Sequence, residues 1–200
     1  LQSATLGHIF NAGNAGAVGE GFRFNAAGRG PLYVTGLEGA GHGFLTTNAQ
    51  YGDPTAWMHL VYVKNTASSI ADQRVRLYVN GVELTSFSAR RNPPINQEAA
   101  LNSSGVPHRI AAESYTGTPT QIYAGYMAEF IFLDGYAGVP SDFGGWDSNG
   151  NWLPFDPTSV VTANKGTNGF HLDFADASAP GNDISGNNND YTAVNIATTQ

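Results

Sequence analysis

Two neighbouring stretches decide the fold class: WMHLVYVKN at residues 57–65 and RVRLYVNGVEL at residues 74–84. In the second stretch, apolar residues alternate with arginine or tyrosine, which is the period of a half-buried β-strand. Asn80-Gly81 then supplies the two positive φ angles of a type I′ turn, so the chain is predicted to return antiparallel as a tight hairpin. The alternation predicts buried side chains at Val75, Leu77 and Val79 and exposed ones at Arg74 and Arg76.

The first stretch is apolar on both parities. Such a run is typical of a strand that is covered on both faces. It therefore predicts a central strand of a β-sandwich, with Trp57 in the core.

The composition is that of a turn-rich β protein. Charged residues make up only 12% of the 200 residues, about half the usual share, and 25 glycines serve short connections. With nine Lys and Arg and a net charge of −7, the chain has no basic stripe for nucleic acid or for an anionic membrane surface. It contains no cysteine, which excludes disulfides and thiolate metal sites.

The sequence predicts one domain over residues 1–200. Because the chain opens with Leu1, we expect a piece of something longer, with a first strand missing upstream. Residues 87–107 have no clear period and are predicted to be a surface connection. Residues 139–200 are predicted to be an irregular, loop-rich part that packs on the sandwich, with one helical turn begun at Ser141.

Three motifs in order resemble a known superfamily. The 57–84 region resembles the core of laminin-G-like, concanavalin A-like jelly-roll domains, and GYMAEFIFLDG at 125–135 is similar to their late strand. The closing stretch at 169–195, with SGNNND after GFHLDF, is similar to lectin-like domains of bacteriophage virion proteins. The resemblance implies an all-β fold, a two-sheet antiparallel β-sandwich of the jelly-roll type. It leaves function open, since lectins, glycan-cleaving enzymes and structural modules share this fold.

The glycan-cleaving alternative requires paired carboxylates. Glucanases of this superfamily carry three acidic residues at alternate positions of one strand, and nothing here matches that spacing. Glu129 and Asp134 are five residues apart, which places them on opposite faces of a regular strand. The chain is therefore not expected to be an enzyme.

A metal site is the second possibility. Asp183, Asn187 and Asp190 crowd a loop with Asn189 and Gly186, and hard oxygen ligands on a loop suit Ca²⁺. The alternative, which the frequency of Asx turns favours, is a turn whose Asp and Asn side chains bind their own backbone.

Glycan recognition needs an aromatic ring beside Asn, Asp or backbone groups. One candidate set has Trp146 and Trp152 around a polar turn, and a second lies near residue 50. Trp152, followed by Leu153, Pro154 and Phe155, is interpreted as a plug packed on the sandwich. For Trp146 three interpretations stay open: a binding platform, a core residue or plain surface. The candidate ligand-binding residues are Trp146, Asp147, Asn149 and Tyr136 in the first set, and Tyr51, Asn48 and His42 in the second.

Together these patterns predict a non-enzymatic carbohydrate-binding domain of a phage virion protein, in a tail fibre, spike or head appendage. The expected partners are host-surface polysaccharide and other virion proteins, and the expected location is the extracellular particle. Fibre proteins are often trimeric, so a homotrimer is expected. The alternatives are a structural or decoration domain without a ligand, and a glycan-cleaving enzyme.

Overall fold

A computed structural model of the chain describes residues 7–13, 19–25, 30–36, 43–51, 53, 55–97, 100–113 and 118–196. The chain divides into two compact units, Leu1–Gly125 and Tyr126–Gln200. The named strands of both units lie in antiparallel pairs, and the one α-helix among the described residues is short, so the all-β prediction is confirmed. Within the described part of the chain, no helix is long and apolar enough to span a membrane.

The first unit is built on a six-stranded sheet with the order β8-β4-β3-β2-β1-β9. Four sequential strands joined as antiparallel neighbours form its middle, and two later strands close its edges. The bounds are β1 Gly7–Ala12, β2 Glu20–Phe24, β3 Gly30–Gly36, β4 Phe44–Tyr51, β8 Phe87–Arg91 and β9 His108–Ile110.

One face of this sheet carries the core. Phe10 pairs with Phe22, Phe22 with Val34, and Val34 with Leu45, so one row of apolar side chains crosses four strands. All four are buried. Because side chains alternate along each strand, this register holds the apolar set on a single face.

A second, three-stranded sheet comprises β5 Leu60–Lys64, β6 Val75–Val79 and β7 Val82–Glu83. The predicted hairpin is confirmed: β6 and β7 are antiparallel, and Asn80 and Gly81 have φ angles of 47° and 79°. Val75 and Leu77 are buried as predicted, and Val79 is half-buried.

Three sequence predictions about this sheet are wrong. The strand in the first stretch, β5, lies at the edge of its sheet among the described residues, and β6 is central. Trp57 precedes β5 and is 69% exposed, so it is not a core residue. Arg74 and Arg76 are half-buried, because the Arg74 guanidinium binds the carbonyl oxygens of Ser68 and Pro93 and that of Arg76 lies 5.7 Å from the centre of the buried Tyr78 ring.

Glu20 ties the two sheets together. This glutamate begins β2 and is only 3% exposed, and both of its carboxylate oxygens lie 2.9 Å from Nζ of Lys64 on β5. It also accepts hydrogen bonds from the Tyr62 hydroxyl and the Leu101 backbone N–H. Beside it, the rings of Phe22 and Tyr62 stack at 6.0 Å. A buried charge is tolerated when it is paired and hydrogen-bonded in this way.

The second unit contains two small ribbons and one helix. In the first ribbon β10 Phe130–Phe132 pairs with β13 Phe170–Leu172. The Phe170 ring stacks with those of Phe130 and Phe132 and contacts the Tyr191 ring at 4.9 Å with a tilt of 56°. The second ribbon pairs β11 Gly144–Trp146 with β12 Trp152–Pro154. The helix α1 spans Thr158–Asn164. Before it, the Asp156 carboxylate accepts the backbone N–H of Thr158, and just after the helix ends Gly166 has a φ of 63°.

The structure corrects the sequence interpretation of two regions. Part of the expected surface connection at 87–107 is strand β8, which escapes a period-2 pattern because its sequence FSARR is mostly polar. The expected irregular part contains β11, β12, β13 and α1, and the helical turn predicted to begin at Ser141 is a 3₁₀ turn over Pro140–Asp142. The division between units falls before residue 139, and the single domain over residues 1–200 stays a prediction.

Replacing Glu20 tests the contact between the sheets. Glu20→Ala leaves Lys64 without its counter-charge and removes the acceptor of two further donors, so the free energy of unfolding should fall by about 3 kcal/mol. Glu83→Ala, at an exposed glutamate of β7, is the matched control and should change it by less than about 0.5 kcal/mol. Equal effects of the two substitutions in urea unfolding would show that Glu20 does not hold the sheets together.

Candidate functional site

The β11–β12 hairpin carries the best candidate for a binding surface. Its register places Trp146 directly across from Trp152, and Gly145 across from Leu153. Two glycines in β11 make room for the rings of Trp152 and Phe155: a Cβ at Gly144 would lie 2.8 Å from the Trp152 ring, and one at Gly145 would lie 2.7 Å from the Phe155 ring. The sequence Gly-Gly-Trp is thus a close-packing motif, since any larger residue would displace an aromatic ring.

Trp146 stands out of this hairpin into solvent. Its exposed fraction is 55%, although it has an aromatic partner: the Trp146 and Trp152 rings are 5.4 Å apart and meet edge to face at 74°. An edge-to-face contact of this kind fixes the orientation of a ring. Trp146 is therefore an oriented, solvent-exposed aromatic surface, and it is not a core residue.

The hairpin tip is held by Asp147. Its Oδ1 accepts hydrogen bonds from the backbone N–H groups of Asn149 and Asn151, and its Oδ2 accepts one from the Asn151 side chain. The backbone and side-chain hydrogen bonds from Asn151 lower the pKa of Asp147 from its ordinary value. Gly150 completes the turn at φ 81°. Asp147 and Asn149 thus shape the turn beside Trp146.

The opposite face of the hairpin is apolar and also exposed. Leu153 and Phe155 lie on it, at 49% and 56% exposure. The interpretation of residues 152–155 as a buried plug is therefore wrong for these two residues, while Trp152 is half-buried against Gly144 and Trp146. The hairpin consequently presents one aromatic face and one apolar face.

Tyr136 belongs to the same unit but has a different partner. Its hydroxyl donates to Oδ2 of Asp142 at 3.2 Å, which also accepts the Val139 N–H at 2.9 Å. The Asp142 carboxylate raises the pKa of Tyr136. Tyr136 is 39% exposed and lies in the segment that leads to the hairpin.

The second candidate set lies in the first unit. Tyr51 ends β4 across from Gly30, and burial raises its pKa. Asn48 is exposed, and its side-chain amide donates to the Ser86 hydroxyl at 2.8 Å. His42 lies outside the described residues. Asn48 therefore joins β4 to the segment before β8, a structural role.

The Asp183 carboxylate accepts four hydrogen bonds from groups of its own chain. Asp183 is 6% exposed, and its Oδ1 accepts the backbone N–H groups of His171 and Ser185. Its Oδ2 accepts the Ser185 hydroxyl and the Asn189 N–H. Although burial raises the pKa of Asp183, these hydrogen bonds outweigh it and lower the pKa. Asp190 in turn accepts the Asp183 N–H at 2.8 Å.

Two asparagine side-chain amides of the same loop bind backbone carbonyl oxygens of residues 166–169. Asn187 donates to the carbonyl oxygens of Gly166 and Gly169, and Asn189 donates to those of Thr167 and Gly169. Lys165 donates to the Ser185 carbonyl oxygen. The arrangement favours the turn interpretation over calcium, and the described residues contain no group of three or more His, Asp or Glu that could hold a metal ion.

Two histidine–glutamate pairs bear on the enzyme alternative. His171 Nε2 lies 2.5 Å from Glu129 Oε2 in the second unit, and Glu129 has a left-handed backbone with φ 51°. Asp134 accepts the Asn168 N–H, so the two acidic residues of the GYMAEFIFLDG motif have different partners. In the first unit, His8 Nε2 lies 2.7 Å from Glu113 Oε2.

The His8 pair is enclosed within the protein. His8 is fully buried, Glu113 is 3% exposed, and Arg23 Nη1 lies 3.3 Å from His8 Nε2. Burial lowers the pKa of His8 to about 4, and the Arg23 cation contributes in the same direction. Nδ1 of this ring has no hydrogen-bond partner among the described residues. A pair with no exposed atom on the histidine cannot meet a polysaccharide, so we assign it to the core.

Comparison of the chain with protein-family models, with curated proteins and with solved structures finds no match.

Sequence reasoning identified Trp146 but missed the surface around it. The two strands of the hairpin have three residues each, too few for a period-2 pattern. A usable signal was present in the two tryptophans placed symmetrically about an Asp-Ser-Asn-Gly-Asn turn, with Gly-Gly before the first of them.

Substitution of Asp183, together with melting in chelator and in calcium, distinguishes the calcium hypothesis from the turn hypothesis. Asp183→Ala removes the acceptor of four hydrogen bonds, so the free energy of unfolding should fall by about 3 kcal/mol or more. Asp176→Ala, which removes an exposed cap on Ser178, is the control and should cost about 1 kcal/mol. The melting temperature of the native chain should be the same in chelator and in millimolar calcium; a drop of several degrees in chelator would establish a metal site.

His8 should make stability depend on acidity. Between its native pKa of about 4 and its ordinary value of about 6.5, the unfolded chain binds a proton that native His8 does not. The free energy of unfolding should therefore fall as the pH falls through this range, by at most about 3 kcal/mol, which is the equivalent of this difference in pKa. His8→Gln should flatten the slope in urea unfolding, and an unchanged slope would contradict this assignment.

Proposed function

We propose that this chain is a non-enzymatic, lectin-like carbohydrate-binding module, and that the Trp146 face of the β11–β12 hairpin is its sugar platform. The observation that carries the proposal is the 55% exposure of a tryptophan whose ring is oriented by a second tryptophan. An exposed indole is costly to keep in water, and it binds the apolar face of a sugar ring well.

The surroundings of Trp146 support a pre-organised site. Asp147 fixes the turn through three hydrogen bonds, so the groups beside the indole hold one geometry before a ligand arrives. Pre-organisation lowers the entropy cost of binding. Asn149 is exposed at the tip, where its side-chain amide can reach sugar hydroxyls.

The wider assignment rests on the motifs at 57–84, 125–135 and 169–195. We propose a jelly-roll sandwich of the laminin-G-like, concanavalin A-like type, in a phage virion protein that contacts host-surface polysaccharide. The contact between the six-stranded and three-stranded sheets through Glu20 and the Phe22–Tyr62 stack supports this fold. One platform per chain gives weak binding, so a homotrimer on a virion would gain by multivalency.

One observation favours a second candidate function. Leu153 and Phe155 expose an apolar face on the other side of the same hairpin. Contact with another virion protein would bury that face, as expected of a structural or decoration domain. The two functions use opposite faces, so they can be tested separately.

Trp146→Ala should abolish most of the glycan binding without unfolding the chain. We expect at least about a tenfold loss of affinity for the host polysaccharide, which corresponds to about 1.4 kcal/mol, because the stacking surface is gone. The free energy of unfolding should fall by only about 1 kcal/mol, the scale of one aromatic pair. Isothermal titration and thermal melting measure the two effects.

Phe155→Ala is the matched control, since it removes an equally exposed ring from the other face of the hairpin. It should leave glycan binding unchanged. If the native chain binds no glycan while Phe155→Ala weakens association with virion proteins, the decoration function replaces the lectin function. Glycan binding that survives Trp146→Ala would instead place the sugar site elsewhere in the chain. Release of reducing ends from the polysaccharide by the native chain would instead establish an enzyme.

A further inference from the structure

The two units have very different charge. Residues 126–200 contain nine carboxylates, Glu129 and eight aspartates, against one cation, Lys165, and no arginine, which gives a net charge of −8 with histidine neutral. Residues 1–125 contain eight Lys and Arg against seven Asp and Glu, a net charge of +1. The acidity of the chain therefore belongs to the unit that carries Trp146.

Lys165, the one Lys or Arg of this unit, already has a hydrogen-bond partner. Lys165 donates to the Ser185 carbonyl oxygen, at the turn clasped by the Asp183 loop. It follows α1 and is not part of the hairpin. The β11–β12 hairpin itself has no Lys or Arg between Gly144 and Phe155, so a carboxylate, sulfate or phosphate of a ligand would find no counter-charge there.

Carboxylates flank the platform in the sequence. Asp147 is the residue after Trp146, and Asp156 follows the exposed Phe155. Hydrogen bonds from Asn151 to Asp147, and from Thr158 to Asp156, lower the pKa of each, so both are ionised at neutral and mildly acidic pH. Asp142 adds a third carboxylate just before β11.

We infer that the Trp146 platform selects uncharged or amine-bearing sugars and rejects acidic ones. The specificity would come from the aromatic ring, which accepts any sugar with an apolar face, combined with Asp147 and Asp156, which repel anions. The repulsion between like charges at an exposed site is weak, and physiological salt screens it over a distance of about 8 Å. The inference rests on the proposed function, because it concerns the ligand of the same platform.

The geometry also limits the size of the stacking site. Trp146 and Trp152 meet edge to face, so they do not form one continuous plane. A single sugar ring therefore stacks on Trp146, and neighbouring rings of the polymer lie in the field of the carboxylates. Charge on the polymer consequently matters even when the stacked sugar itself is neutral.

The test uses the full chain and a matched series of oligosaccharides of glucose, N-acetylglucosamine, glucosamine and glucuronic acid. Affinity is measured by titration at a slightly acidic pH. At about 20 mM salt we expect glucosamine oligomers to bind best and glucuronic acid oligomers worst. At about 0.15 M salt the acidic oligomer should bind about two- to fivefold more weakly than the neutral ones.

Variants that lack the carboxylate charges of Asp147 and Asp156 provide the control. Asp147→Asn keeps the Oδ1 acceptor of the turn, and Asp156→Asn keeps the Oδ1 that binds Thr158. The double variant should bind the acidic oligomer as well as the neutral ones. Its melting temperature should fall slightly, because the amide nitrogen introduced at position 147 cannot accept the hydrogen bond from the Asn151 side chain. The matched variant Asp176→Asn removes a carboxylate of the same unit whose cap lies outside the hairpin, at Ser178, and should leave the discrimination intact.

The outcomes separate this inference from the proposed function. If the acidic oligomer binds as tightly as the neutral ones and Trp146→Ala abolishes both, the platform is correct and the charge selection is wrong. If discrimination persists in the double variant, the two aspartates do not cause it. If no oligomer in the series binds, the platform fails and the inference fails with it.

Discussion

A buried carboxylate that accepts several hydrogen bonds is the interaction on which each unit depends. In the first unit, Glu20 pairs with Lys64 and binds Tyr62 and the Leu101 backbone, and so joins two sheets. In the second unit, Asp183 binds four donors and joins its loop to β13 through the His171 N–H. In a chain with few charged residues, such groups are among the few strong polar contacts available, and they order segments that apolar burial alone would leave unspecified.

Local pattern predicted local structure well. The alternation at Val75 and Leu77 and the Asn80-Gly81 turn identified the hairpin, because both depend only on neighbouring residues. The position of β5 was wrong, since an apolar run on both parities shows that a strand is covered without showing which strands it pairs with. The prediction that Trp57 is a core residue was wrong for the same reason. The size and hydrophobicity of a residue favour burial, but whether it is buried depends on tertiary contacts that its neighbours in sequence do not show.

The candidate site was predictable in part. Trp146 and the Asp147 turn could be identified because aromatic rings and Asx turns have sequence signatures. The exposed Leu153 and Phe155 could not, because exposure is set by what packs against a residue. The partners of Asp183 were also beyond local reasoning. His171 is twelve residues away along the chain, and only the folded loop brings its N–H to the carboxylate.

The central claim is that Trp146 contacts a glycan, and the chain allows it to be tested residue by residue. It has three tryptophans, so its nitrogen–proton NMR spectrum should show three indole signals, one each from Trp57, Trp146 and Trp152. Titration with a neutral oligosaccharide of glucose or N-acetylglucosamine should shift the Trp146 signal most and that of its partner Trp152 less. The Trp57 signal, from the first unit, should stay in place. A shift confined to Trp57, or no shift at millimolar glycan, would contradict the account.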